Sequence, residues 1–318
     1  MKKPLVFSVV GLTATGKTAF ALQLAEHLLD QGKQKVILLA ADSKQVFQGL
    51  EILSGADIPS DFQPAKQAEY LYPYFVNTNQ PIELHGVACV FGYADWSVAH
   101  FQRLFENLYG HADGQTAIVV VGGTGLYHQQ IFSPAETTAI KPDLQLRRKL
   151  DSLPLKELQQ HLQTTWPARW KQMNNSDRNN QRRLIRAIEV SLAEKPIPPT
   201  VGVRPVAQFG LQLSMKLVET KIAKRVDQRL KQGVIQEVRQ FEKKYRTNAI
   251  QAKATLGYQL ILKYLSKHLT LDQLKAAWTL EEIQYAKRQQ TWWQKRAGIE
   301  WLSADKIDFS TLKSYNFS

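Results

Sequence analysis

Gly11-Leu12-Thr13-Ala14-Thr15-Gly16-Lys17-Thr18 stands between the apolar, β-branched run Leu5–Val10 and a stretch carrying Phe20, Leu22, Leu24, Ala25, Leu28 and Leu29 at helical spacing. The pattern G-x-x-x-x-G-K-[ST], set between a strand and a helix, describes a phosphate cradle. Glycines let backbone N–H groups turn inward around an anion, and the helix N-terminus adds its dipole. The expected cradle residues are Gly11, Thr13, Ala14, Thr15, Gly16, Lys17 and Thr18. Lys17 supplies a mobile cation to the terminal phosphate, and Thr18 offers a hydroxyl to Mg²⁺. The pattern specifies a phosphate and leaves open whether the ligand is a nucleotide or another diphosphate. Lys2 and Lys3 before the apolar run imitate a signal peptide, but the run passes directly into turn chemistry, so it is read as a buried first strand.

Two further apolar runs flank polar motifs. Val36–Ala40 leads into Ala41-Asp42-Ser43, and Ala117–Val121 leads into Gly122-Gly-Thr-Gly125. Apolar strands alternating with helical stretches predict a parallel sheet covered on both faces, with ligands bound where the strands end. A nucleotide hydrolase normally carries an acid at the end of a Walker-B strand. Here the run Ala117–Val121 ends in glycines, and the nearest strand-end acid is Asp42. Asp42 is a candidate metal ligand, helix cap or general base.

The predicted fold class is α/β: a P-loop NTPase-like parallel sheet core with an inserted small helical domain and C-terminal helices. The expected division is 1–135 for the first part of the core, 136–200 for the insert, and 201–318 for core completion with basic helices. Within these, helices are expected over Asn180–Glu194, Val218–Lys244, Leu256–Tyr264 and Leu271–Arg296. A linker is expected at Lys195–Pro199 and a returning strand at Phe209–Met215.

Of 318 residues, 44% are hydrophobic and 22% charged, ordinary for a globular chain. No run reaches the roughly 18 apolar residues of a membrane span. The single cysteine, Cys89, excludes a disulfide framework and fits a reducing cytoplasm. Residues 1–135 hold 8 Lys+Arg against 11 Asp+Glu, a net of −3, while 136–318 hold 33 against 17, a net of +16. A basic second half suits a polyanionic partner, because each neutralised phosphate releases counterions.

The motifs together resemble the tRNA dimethylallyltransferases. The match rests on the octapeptide, on Ala-Asp-Ser-Lys-Gln-Val-Phe-Gln-Gly (Ala41–Gly49), Trp-Ser-Val-Ala-His-Phe (Trp96–Phe101) and Val-Gly-Gly-Thr-Gly-Leu-Tyr (Val121–Tyr127). It continues through Arg183–Val190, Leu256-Gly-Tyr258 and Ala286–Trp292, and so spans nearly the whole chain. The resemblance implies transfer of a dimethylallyl group from dimethylallyl diphosphate to N6 of an adenosine next to the anticodon of tRNA. It implies that Asp42 takes the amine proton, that Thr124 helps position the reacting groups, and that Lys17, Thr18 and Mg²⁺ serve the diphosphate, with Arg288 as a further diphosphate contact. It also implies tRNA contacts at Asp42, Ser43, Lys44, Gln45, Thr124, Gly257 and Tyr258, and a helical insert gripping the anticodon stem-loop through Arg182, Arg183 and Arg186. Trp292 and Trp293 are read as core before stacking surfaces. The pattern departs from the family at His100, where it carries an aspartate, and at Leu53–Pro59, where its lysine is missing. The expected state is a cytoplasmic monomer without membrane attachment. The alternatives are an adenylate isopentenyltransferase acting on free nucleotides and a nucleic-acid-binding P-loop kinase or NTPase.

Overall fold

The structure is a computed structural model that describes residues 2–134, 137, 140, 142–193, 202–246, 248–305, 315 and 317. It has two compact units: residues 1–132 with 203–318, and residues 133–202. The expected linker Lys195–Pro199 lies outside the described residues.

Eight strands form the sheet of the larger unit: β1 Leu5–Gly11, β2 Lys35–Ala40, β3 Phe62–Ala65, β4 Tyr74–Asn77, β5 Ile82–His85, β6 Thr116–Val121, β7 Ala207–Gln212 and β8 Glu300–Ser303. Their order is β3-β4-β5-β2-β6-β1-β7-β8. From β5 to β8 every pairing is parallel, and β3 and β4 add an antiparallel edge. The inner strands are buried on both faces, yet their residues still alternate between two cores. Val6, Ile37, Leu39, Ile118 and Val120 face one, while Phe7, Val9, Leu38, Val119 and Val121 face the other. Helix Lys17–Asp30 seals the second core with Phe20, Ala21, Leu24, Ala25 and Leu28.

Strand order sets the spacing of the polar motifs. With its register complete, Val121 of β6 lies level with Val9 of β1 on one side and Ala40 of β2 on the other. The Asp42 carboxylate is therefore two strands from the phosphate loop. The turn Gly122–Gly125 lies between them.

The helical stretches are shorter than the sequence periodicity suggests. The stretch Val218–Lys244 is two helices, Met215–Lys231 and Val234–Tyr245, broken at Gly233, whose φ of 95° is left-handed. The expected helix from Leu256 begins at Tyr258, after a 3₁₀ turn over Ala252–Ala254. The long helix Leu271–Trp293 opens on a capping box in which Thr270 and Gln273 satisfy each other's backbone N–H groups. No described helix is long and apolar enough to cross a membrane.

The smaller unit is a cluster of helices: Leu144–Asp151, Leu155–Thr165, Pro167–Gln172, Asn175–Arg178 and Gln181–Ser191. Leu150, Leu158, Leu162, Leu184 and Ile188 form its core. Buried Glu189 accepts from Arg147, Arg186 and the Asp143 amide. Burial alone would raise its carboxyl, but the Arg147 and Arg186 hydrogen bonds hold it below the usual carboxylate range.

Candidate active site

The phosphate loop is built from its backbone outward. Gly16, at φ 88°, takes the left-handed conformation that caps helix Lys17–Asp30 without a side-chain acceptor. The first-turn N–H groups are therefore left for an anion. Thr15 Oγ1 donates to Leu12 O at 2.9 Å, and Lys17 Nζ donates to the same oxygen at 2.6 Å. Burial, with Arg225 nearby, pulls the Lys17 ammonium down to about 7, against the opposing pull of Asp42.

Asp42 follows β2. Its Oδ1 accepts from the Lys44 amide at 2.7 Å and the Gln45 amide at 3.3 Å. Burial raises the carboxyl above the ordinary range, although those amides and the charges of Lys17 and Lys44 oppose it. Between the two motifs, Thr124 N donates to Ala41 O at 3.2 Å. The glycines of this turn are demanded by close approach: a Cβ on Gly123 would overlap the Gln289 side chain.

A cavity of about 810 Å³ runs past all three motifs. Its walls include Thr13, Ala14, Gly16, Lys17 and Thr18 from the loop, Asp42, Ser43, Lys44 and Gln45 after β2, and Gly122 and Gly123 after β6. Arg288 also lines it. Its guanidinium lies 5.7 Å from the Tyr285 ring centroid.

Several lining residues carry no sequence motif. Arg225 donates to Thr13 Oγ1 at 2.5 Å and to Glu282 at 2.9 Å, and Arg229 donates to the other Glu282 oxygen at 2.8 Å. Burial opposes ionisation of Glu282, yet Arg225 and Arg229 hold its carboxyl below the usual range. Gln289, which does lie in the Ala286–Trp292 block, accepts at Oε1 from the Thr13 amide at 2.7 Å. Tyr285, raised by burial and by the Asp42 charge, stands beside Thr124 and Gln289. Helices Met215–Lys231 and Leu271–Trp293 thus fasten the phosphate loop from above, and they bring the cations Lys221, Arg225 and Arg229 to the cavity. One signal was available in the sequence: Lys221, Arg225 and Arg229 recur every four residues, on one helical face.

Other expected site residues lie elsewhere or are already engaged. Tyr258 is fully buried and donates to Glu242 at 2.6 Å, so its side chain is packing and not a free nucleic-acid contact. Gly257 donates its amide to Glu281 at 3.0 Å. In the smaller unit, Arg186 turns back to Glu189 and to the carbonyls of Thr137 and Ile140, and Arg183 pairs with Asp177. Arg182 is exposed. The three arginines are therefore not a row of free cations. Trp293 is core and Trp292 is half-buried.

A mostly parallel α/β sheet, a P-loop at the end of β1 and a buried carboxylate in the same cavity define a phosphate-binding enzyme of the P-loop class. Residues 76–296 match the family model described as IPP transferase, and the chain belongs to that family. A tRNA dimethylallyltransferase of Microcystis aeruginosa is 31% identical over 95% of this chain and 89% of that protein. One from Acaryochloris marina is 32% identical over 97% of this chain and 96% of its own length. Among solved structures, the full-length tRNA isopentenylpyrophosphate transferase of Bacillus halodurans matches with a TM-score of 0.63 at 26% identity. That match covers 98% of this chain and 94% of that one. A eukaryotic dimethylallyltransferase acting on tRNA shares the fold, with a TM-score of 0.70 at 21% identity over 98% of this chain and 76% of its own.

Proposed function

We propose that this protein transfers a dimethylallyl group from dimethylallyl diphosphate to N6 of adenosine 37, beside the anticodon in tRNA, releasing diphosphate. The observation that carries the proposal is the row of three motifs in one cavity. The phosphate loop follows β1, Asp42 follows β2, and the glycine turn follows β6, the strand that lies between them. The names of the relatives, tRNA dimethylallyltransferases, and the basic second half of the chain support tRNA as the acceptor.

The N6 nitrogen attacks C1 of the allyl group as the C1–O bond to the diphosphate breaks. Charge develops on the leaving oxygen, where Lys17, the loop amides, Arg225 and Arg288 receive it. An adenine amine is a weak nucleophile, so its proton must leave during the reaction. With Oδ1 of Asp42 held by two backbone amides, Oδ2 is the oxygen left to take that proton. Thr124, next to Ala41 O, orients the acceptor. Mg²⁺ suits this donor set through the Thr18 hydroxyl, the diphosphate oxygens and water, since Mg²⁺ typically binds with few protein ligands plus substrate phosphates. Bound there, it would neutralise charge on the departing diphosphate. The smaller helical unit, the 136–200 segment of the sequence division, is assigned to the anticodon stem-loop, with Arg182 among its exposed cations. The enzyme is proposed to work as a monomer in the cytoplasm, which its lone buried cysteine suits.

Incubation with unmodified tRNA and dimethylallyl diphosphate, followed by nucleoside mass analysis, tests the proposal. Dimethylallyladenosine in tRNA is expected, with none on free AMP in a parallel reaction. Product on AMP alone would overturn the tRNA assignment, and phosphoryl transfer from ATP without prenylation would overturn the reaction class.

The two perturbed groups also predict a pH profile. Asp42 must be ionised, so activity falls as pH drops through its raised pKa. Lys17 must be charged, so kcat/KM for the diphosphate falls as pH rises through about 7. A bound diphosphate returns charge to Lys17, so the alkaline limb of kcat moves upward, because kcat reports the complex and kcat/KM the free enzyme. Initial rates between pH 5 and about pH 9 check this. A kcat/KM flat across neutral pH would contradict it.

A further inference from the structure

Phe91 and Tyr93 are 51% and 60% exposed, and their rings lie nearly parallel, 5.6 Å apart at 22°. Exposed aromatics on loops are normally mobile and scattered. These two are held in place by the residue between them. Gly92 is buried, and a Cβ there would stand 2.5 Å from the Phe241 ring and 2.9 Å from that of Tyr245. The backbone therefore rests directly on two core rings, which directs the side chains on either side outward. The Ala94 amide closes the turn onto Phe91 O at 2.9 Å, and the Tyr93 ring meets Tyr245 at 6.1 Å. Both rings are thus presented on a rigid support.

The surroundings are cationic. Lys243, Lys244 and Arg246 are exposed at the end of helix Val234–Tyr245, and Lys244 Nζ stands 5.1 Å from the Tyr245 ring centroid. The acid on the aromatic loop, Asp95, accepts from Gln251 Nε2 at 3.2 Å. Gln251 also connects this surface to the cavity wall. Its Oε1 accepts from the Trp96 amide at 2.9 Å, and its carbonyl accepts from Lys44 Nζ at 2.7 Å. Lys44 and Ala254 line the cavity. Tyr93 is three residues from Trp96, at most about 11 Å along the chain.

Rigid aromatic faces beside mobile cations are the composition that binds single-stranded nucleic acid, since every base has a π-face and every nucleotide a phosphate. We propose that Phe91 and Tyr93 form a stacking platform for an unpaired base of the substrate RNA flanking the reacting adenine, with Lys243, Lys244 and Arg246 holding the adjoining phosphates. The inference rests on the tRNA-prenylating function proposed above. It adds a nucleotide subsite outside the catalytic cavity, on the larger unit alone. Both rings lie on the surface, so their removal leaves the core intact.

The test uses the full chain with unmodified tRNA. Phe91→Ala with Tyr93→Ala is expected to raise KM for tRNA about tenfold, in line with the loss of one base–aromatic stack. KM for dimethylallyl diphosphate is expected to stay within twofold, and the conservative pair Phe91→Tyr with Tyr93→Phe to restore the tRNA value. Lys243→Ala with Lys244→Ala is expected to flatten the salt dependence of tRNA binding, as lost phosphate contacts do. An unchanged KM for tRNA in the double alanine variant overturns the platform while leaving prenylation standing. Loss of a wild-type dimer in that variant, with tRNA affinity intact, also overturns it and assigns the patch to a second copy. Absence of prenylated adenosine with wild-type protein is instead a failure of the proposed function.

Discussion

Asp42→Asn is expected to lower kcat for prenyl transfer by about two to four orders of magnitude, the usual contribution of a positioned general base. The substitution isolates the chemistry. An asparagine Oδ1 can still accept from the Lys44 and Gln45 amides, so the turn after β2 keeps its shape. What disappears is the oxygen able to take a proton from the amine, together with a charge whose burial is already unfavourable. Folding stability should therefore hold or rise while turnover collapses. Single-turnover rates with saturating tRNA and diphosphate, set beside a denaturant melt, measure both quantities. Wild-type turnover in Asp42→Asn would remove the carboxylate from the mechanism. A parallel loss of stability and activity would assign Asp42 to capping.

Lys17→Met comes second, with an expected loss of roughly a hundred- to a thousandfold in kcat/KM for the diphosphate, the cost of deleting one preorganised charge at a developing oxyanion. Methionine keeps the length and most of the apolar stem. It gives up the ammonium that donates to Leu12 O. Burial and Arg225 both disfavour that ammonium, so stability should not fall with activity. Such opposition between stability and function is common at sites built for a ligand. Isothermal binding of dimethylallyl diphosphate separates lost affinity from lost rate. Unaltered binding and rate would exclude Lys17 as a diphosphate ligand.

The legibility of this chain differs by element. The octapeptide and the runs Leu5–Val10, Val36–Ala40 and Ala117–Val121 are readable because a doubly covered parallel sheet needs continuous apolar strands, and a phosphate loop needs glycine and lysine at fixed spacing. β3, β4 and β8 are not readable. They are four-residue strands at or near the sheet margins, and β3 includes Pro64, which an edge strand tolerates and a central one does not. Gly233 is visible as a residue but not as a helix break, since periodicity runs on either side of it. Tyr258 shows the opposite limit: a motif tyrosine that looks available in one dimension is enclosed in three, with its hydroxyl on Glu242.

The amino-acid sequence by itself determined a phosphate cradle after the first apolar run, a carboxylate after the second and a glycine turn after the third, because each is local backbone chemistry written in consecutive residues. Only the tertiary structure decided that β6 lies between β1 and β2, so that the glycine turn separates the cradle from Asp42. It also decided that Arg225 and Gln289, more than two hundred residues along the chain, fasten onto Thr13, with Glu282 holding Arg225 in place. Strand order and long-range clasps depend on which apolar faces bury each other best, a property of the whole packed core that no short window of residues contains.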